Sequence, residues 1–375
     1  MIKKAARNIV RSVAIKEGDM VVIGAGVHAI DLVDEMVIET YKRGGVPVTF
    51  LSRDRSELKI LSSVSEDALK KTPKHLLAMI KASDAIISVE PYEDPHITTQ
   101  FPRDKVAAKH MSRTPISQVI FEEKRWVYAG WPTKKAAEYY NIDYSDLEEF
   151  IIGGMCVDPE TLMQAGNALK GKINGAEKIH VEDDNGTDFT LVIKGRRINI
   201  DDGIITEEDI KLNDLGNNLP AGEVFIAPVE NAGSGRIYCP VTVDPFSGRI
   251  FRDLMLEFKD GILDLERSKV PEELKETFKM SEEVDRKIYG APSARKVAEI
   301  GIGTNPRIKR AIGYILTDEK VIGSVHVAFG ENIGYGGTSR SSLHWDFVTS
   351  PGVTVTVIFP DGRENVIMEK GKHVF

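Results

Sequence analysis

Cysteine is nearly absent. The 375 residues hold two, Cys156 and Cys239, and neither lies in a paired metal-binding motif. That excludes a disulfide framework and favours a reducing compartment, read here as the cytoplasm. Positive charge is also short: 49 Lys and Arg stand against 57 Asp and Glu, a formal net charge of -8. No bulk electrostatic attraction to nucleic acid follows from such a balance. Long apolar runs are missing, so no segment has the length to span a bilayer. The basic N-terminus has no apolar core of secretory length before Glu17. Neither nucleic acid nor a membrane is therefore an expected partner.

What is present is an ordinary soluble composition, 42% hydrophobic and 28% charged. The length exceeds the usual single core, so two domains are expected. Ala6, Ile9, Val10 and Val13 fall at helical spacing. Residues 19–26 read as a strand running into a glycine bend, followed by a helix over about 29–43 and a strand over 46–51. This is a βαβ opening with buried parallel strands. Gly24, Gly26 and Ala29 fit a permitted form of the G-x-G-x-x-G fingerprint, and Asp54 follows the second strand. The isolated motif is weak, and a tight strand-to-helix turn explains the glycines more simply. A further strand spans 84–89. Glu90, Glu93, Asp94 and His96 after it read as a solvated loop and helix start rather than a second site. Residues 105–113 are basic, and another segment begins at Gln118. Thr133 is placed to cap a helix over 134–140.

From Lys172 the texture turns β-rich, with strands at 176–182 and 187–193 around an Asn185-Gly186 turn. The fold class is therefore α/β in two domains. An N-terminal Rossmann-like parallel-sheet domain (1–171) precedes a mixed α/β metal-binding domain (172–375). Residues 270–289 read as an amphipathic helix and 307–318 as another. Glu223, by composition alone, is a solvated glutamate beside a turn. Glu299 stands among apolar neighbours just before Gly301 and Gly303. Glycines permit a close backbone approach, and a buried carboxylate needs a cation or another partner. In residues 321–359, His326 ends an apolar run, and His344 and Asp346, two apart, face the same way on an extended chain. Two imidazoles and a carboxylate near strand ends suit a metal; hydrogen-bonded structural histidines are the plainer alternative.

Taken in order, GEVFIAP (222–228), E-x-G-x-G-x-N-P (299–306), GSVHVAFG (323–330) and H-x-D (344–346) resemble the aminopeptidase T family of metallopeptidases. GTDFTLVIKGR (186–196) and GWP (130–132) are similar to it as well. The resemblance implies a two-domain, dimeric α/β enzyme that releases N-terminal amino acids from peptides, and so a peptide or small-molecule substrate as its partner. It implies a water activated by two divalent metal ions (Zn, Co, Mn or Mg). Carried over motif by motif, the ligands are Glu223, Glu299, His326, His344 and Asp346, with the bridging ligand left open. A carboxylate not wholly committed to metal serves as base, for which Glu223 is the candidate. The family's peptidases carry a catalytic tyrosine seven residues after the V-H-x-A histidine. Here that position is Ile333, which offers no hydrogen bond. Tyr335, two residues on, is the candidate substitute. Ser339 to Ser342 read equally as substrate-lining residues or as a solvated loop. The same superfamily supplies the alternative of a ring-cleaving 2,5-dihydroxypyridine dioxygenase, with one iron on His326, His344 and Asp346. The presence of both Glu223 and Glu299 favours the two-metal set.

Overall fold

The computed structural model describes residues 1–374, with the backbone alone at position 103. The chain forms two compact units: Met1–Pro159 with Gly203–Ala221, and Glu160–Asp202 with Gly222–Phe375. Gly171, where the sequence reading drew its single division, lies inside the helix Pro159–Ile173. Residues 203–221 belong with the first unit because their strand, Gly216–Leu219, pairs in parallel with Arg125–Ala129.

The first unit is built on a five-stranded sheet. Its order is Val46–Ser52, Met20–Gly26, Ala85–Val89, Arg125–Ala129, Gly216–Leu219. Every pairing in it is parallel. Val21, Ile23, Ala85 and Ile87 are buried in it, as the apolar runs require. The first helix, Ile2–Ser12, buries Ala5, Ala6, Ile9 and Val10. Thr133 Oγ1 accepts the Ala136 amide, capping Lys134–Tyr140 as expected. The sequence suggests a break between the basic residues 105–113 and a segment beginning at Gln118, yet one helix runs Arg103–Glu123 through Pro115. Proline costs that helix a backbone hydrogen bond. Burial of Ala108, Ser112, Ile116 and Val119 along one face keeps it continuous.

The second unit packs two antiparallel sheets around one core. The smaller sheet carries the site, in the order His344–Val348, Val325–Gly330, Val297–Gly303, Glu223–Ile226, Asn199–Asp201. Side chains alternate across it. Ile226, Ile300, Ile302, Val327, Phe329 and Phe347 enter the core that the eight-stranded sheet shares. The helix Glu272–Tyr289 seals one side, with Phe278 stacked on Trp345 at 5.4 Å between ring centroids. The helix expected over 307–318 is confined to Ile315–Asp318. Gly313 takes a positive φ of 97°. The Asp318 carboxylate accepts the amides of Ile312 (2.9 Å) and Gly313 (2.6 Å), closing a turn in place of helical bonds. Among the described residues, no helix is long and apolar enough to cross a membrane.

Candidate metal centre

Strand register brings the expected residues together. Gly301 lies opposite His326, Gly303 opposite Glu223, Ala328 opposite Asp346 and Gly330 opposite His344. Facing residues share a side of the sheet, and so do residues two apart along a strand. Glu223, Glu299, His326, His344 and Asp346 therefore project from one face, each facing a small residue or set diagonally to one. The spare room is used: a Cβ on Gly301 would stand 2.0 Å from the His326 ring, and one on Gly303 2.1 Å from the Val321 carbonyl oxygen. The two glycines thus admit neighbouring protein groups rather than a ligand.

The five residues form two donor groups, Glu223–Glu299–His326 and Glu299–His344–Asp346, and Glu299 belongs to both. Its Oε1 lies 3.2 Å from His326 Nε2 and its Oε2 3.6 Å from His344 Nε2. His326 Nε2 is 3.4 Å from Glu223 Oε2, and His344 Nε2 is 3.3 Å from Asp346 Oδ2. Such spacings match the edges of a tetrahedron, roughly 3.4 Å for bonds of about 2.1 Å. His344 Nδ1 lies 2.8 Å from the Glu331 carbonyl, to which it donates, so Nε2 is the ring nitrogen that faces Glu299 and Asp346 and would bind a metal. Glu223 Oε2 and Asp346 Oδ1 are buried without a hydrogen-bond partner. Orphaned carboxylate oxygens on residues grouped with imidazoles are what a bound cation would satisfy, so the residues fit a divalent metal. Oxygen and nitrogen donors without thiolate suit a hard or borderline ion.

The electrostatics agree. Burial by itself would lower the His326 and His344 pKa values. The carboxylates raise them instead, through Glu299 and Glu223 for His326 and through Asp346 and Glu299 for His344. Burial pushes Glu223 up to about 8 despite Lys320 and His326.

Sequence reasoning missed several members. Lys320 is 0% exposed, and its ammonium contacts Glu223 Oε1, Glu319 Oε2 at 2.9 Å and Asp201 Oδ2 at 3.3 Å. Burial alone would lower its pKa, but those three carboxylates hold it well above the ordinary lysine value. Glu319 is a sixth acidic or imidazole side chain at the centre, raised by burial. Glu230 accepts from Arg196, the Asn332 side chain (3.2 Å) and the Thr338 amide (2.6 Å). It thereby ties down the loop that carries Tyr335. No local motif announces these residues: apart from the adjacent Glu319–Lys320 contact, the partners are remote in sequence.

Tyr335 sits in a short 3-10 turn, Ile333–Tyr335, while Ile333 itself is exposed. The tyrosine ring packs edge-on against Phe225 and His344. Its hydroxyl lies 3.4 Å from His344 Nδ1, the ring edge remote from Glu299 and Asp346. Ser341 Oγ donates to Asp285 and the Ser342 amide to the same carboxylate, at 2.8 and 2.7 Å. That part of the serine run anchors the loop to the helix Glu272–Tyr289. In the first unit, Asp54 accepts the amides of Glu93 and Asp94. A Cβ on Gly26 would meet the His28 ring at 2.1 Å. At Gly26 the bend is filled by protein, while a Cβ on Gly24 would meet nothing within 4 Å.

The family model for the M29 thermophilic metalloproteases matches residues 1–373. The chain belongs to the M29 family. This is the aminopeptidase T family that the motifs resemble, and the protein is accordingly a metallopeptidase by family. The M29 chain is similar in fold to wild-type AmpT from Thermus thermophilus, with a TM-score of 0.78 at 18% identity. The match covers 100% of this chain and 99% of that one. It is also similar to the 2,5-dihydroxypyridine dioxygenase from Pseudomonas putida, with a TM-score of 0.60 at 14% identity, covering 100% and 96%. No curated protein matches the chain. The α/β fold expected from the sequence, with a parallel sheet followed by mixed α/β structure, is thus the AmpT-like fold.

Proposed function

We propose that the protein is an aminopeptidase that removes N-terminal residues from peptides at a centre of two divalent metal ions. One observation carries the reading: Glu299 directs one oxygen to each of two donor groups, Glu223 and His326 on one side, His344 and Asp346 on the other. Ions held there would supply Lewis-acid chemistry, polarising a peptide carbonyl and activating water. Glu299 keeps the two groups in register from the middle strand of the sheet. His344 is oriented by its Nδ1 proton on the Glu331 carbonyl. Glu223 fits a ligand better than the base, because Lys320 takes Oε1 and Oε2 faces His326. Glu319, outside the five and raised by burial, is the better acceptor for the proton of an attacking water. Tyr335 acts on His344 from behind, as a positioning residue.

A lone iron on His326, His344 and Asp346 would leave the orphaned Glu223 Oε2 unexplained. The grouping of His326 with Glu223 and of His344 with Asp346, each with Glu299, among the described residues supports two positions rather than one. A homodimer fits the edge strand Val46–Ser52, where Val48, Phe50 and Leu51 are exposed. A reducing, cytoplasmic setting fits two cysteines that form no disulfide, of which Cys239 is pushed up to about 12 by burial.

The test is a panel of amino-acid p-nitroanilides and short peptides, given to metal-free protein resupplied with zinc, cobalt or manganese. Peptides with a free amino terminus should be cut one residue at a time, and their N-acetylated forms spared. Oxygen uptake with dihydroxypyridines on iron-loaded protein, without hydrolysis under any metal, would overturn the reading.

A further inference from the structure

Lys320 does more at the centre than hold Glu223 Oε1. It follows the turn Ile315–Asp318, and its backbone carbonyl accepts the Asn305 amide at 3.1 Å, which fixes the stem. The side chain is wholly enclosed. Its three carboxylate partners are unequal in role. Asp201 and Glu319 stand outside the five-residue set, while Glu223 is a member of one donor group only. Among the described residues, Lys320 makes its ion pairs on the Glu223 side, and the Glu299–His344–Asp346 group is paired within itself.

We propose that Lys320 makes the two metal positions unequal. It occupies one oxygen of Glu223 and places a fixed positive charge beside the Glu223–Glu299–His326 position, so an ion there is held weakly and exchanges. At the Glu299–His344–Asp346 position the Lys320 charge also acts on Asp346, but without an ion pair, and both oxygens of that carboxylate stay clear of the ammonium, so this position fills first and retains its ion. The physical grounds are simple. An ammonium and a dication on one carboxylate compete for its electrons and repel each other, and enclosure from water leaves that repulsion poorly screened. The inference rests on the two-position reading above.

Equilibrium dialysis of the metal-free full-length protein against Mn²⁺, and separately Zn²⁺, measures ions per chain. The wild type should bind in two steps separated by 100-fold or more. In Lys320→Met the weaker step should tighten by at least tenfold while the stronger stays put, and Lys320→Arg should keep the separation. Two equal steps in the wild type, or steps unmoved by Lys320→Met, would overturn the role of Lys320 and leave the two-position reading standing. One ion per chain at saturation in both proteins would remove the two-position reading itself. If Lys320→Met does not fold, wild-type crystals with a single equivalent of Mn²⁺ decide the matter. Anomalous density should lie between His344 and Asp346; density between Glu223 and His326 overturns the proposal.

Discussion

Two strands of this chain end in a glycine-x-glycine sequence, and only one of them borders a candidate metal centre. In the first unit Gly24 and Gly26 close the strand Met20–Gly26; in the second Gly301 and Gly303 close Val297–Gly303. Both pairs suggest backbone laid bare for a ligand. Instead Gly26 clears the ring of His28, two residues on, and the Pro91 carbonyl, while Gly301 clears the imidazole of His326 from the next strand. What differs is the company. The first strand is flanked by parallel neighbours with apolar and backbone partners. The second lies in an antiparallel sheet whose strands each bring a carboxylate or imidazole to the same face. A glycine pair marks close packing; the chemistry is marked by what the neighbouring strands bring to it.

The sharpest way to break this comparison is Gly301→Ala. The new methyl must displace the His326 imidazole, and metal affinity should fall about 100-fold, the upper end for disturbing a ligand's support. Dialysis against zinc checks it. Next is Glu230→Gln, which removes the latch of the Tyr335 loop. Breaking a buried, hydrogen-bonded charge pair should cost about 3 kcal/mol at neutral pH, read by urea unfolding. Burial opposes ionisation of Glu230, but Arg196, the Thr338 amide and Asn332 hold it down to about 2. A depressed carboxylate stabilises the fold fully above its unfolded pKa, near 4.3, and that contribution fades as pH falls through about 2. Wild-type stability should therefore decline across pH 4 to 2, and the variant should decline less steeply. Tyr335→Phe should lower kcat about tenfold with KM little changed, as expected of a group acting through His344. The smallest effects belong to the other glycine pair. Gly26→Ala should cost about 1–3 kcal/mol of stability from overpacking, with metal content untouched. Gly24→Ala, where a Cβ meets nothing within 4 Å, should shift stability by less than about 1 kcal/mol.

The fold and the five principal site residues were legible because each lies in a short local pattern: period-2 strands, and four motifs in a fixed order. The supporting residues were not. Lys320 meets Glu223 across 97 residues, and Asn332 meets Glu230 across 102. Nothing in local spacing encodes those pairings; they exist only once the strands are in register. For the same reason Glu223 looked solvated by composition, although register places it 6% exposed against Lys320 and His326. The expected helix over 307–318 failed because Asp318 captures two backbone amides that a helix would have used.

The central claim is that Glu299 lies between two metal positions. Anomalous diffraction from crystals saturated with Mn²⁺ or Zn²⁺ tests it most directly. The expected result is two peaks per chain flanking Glu299, one beside Glu223 and His326, the other beside His344 and Asp346. A single peak bound by His326, His344 and Asp346, with Glu223 turned away, would contradict it.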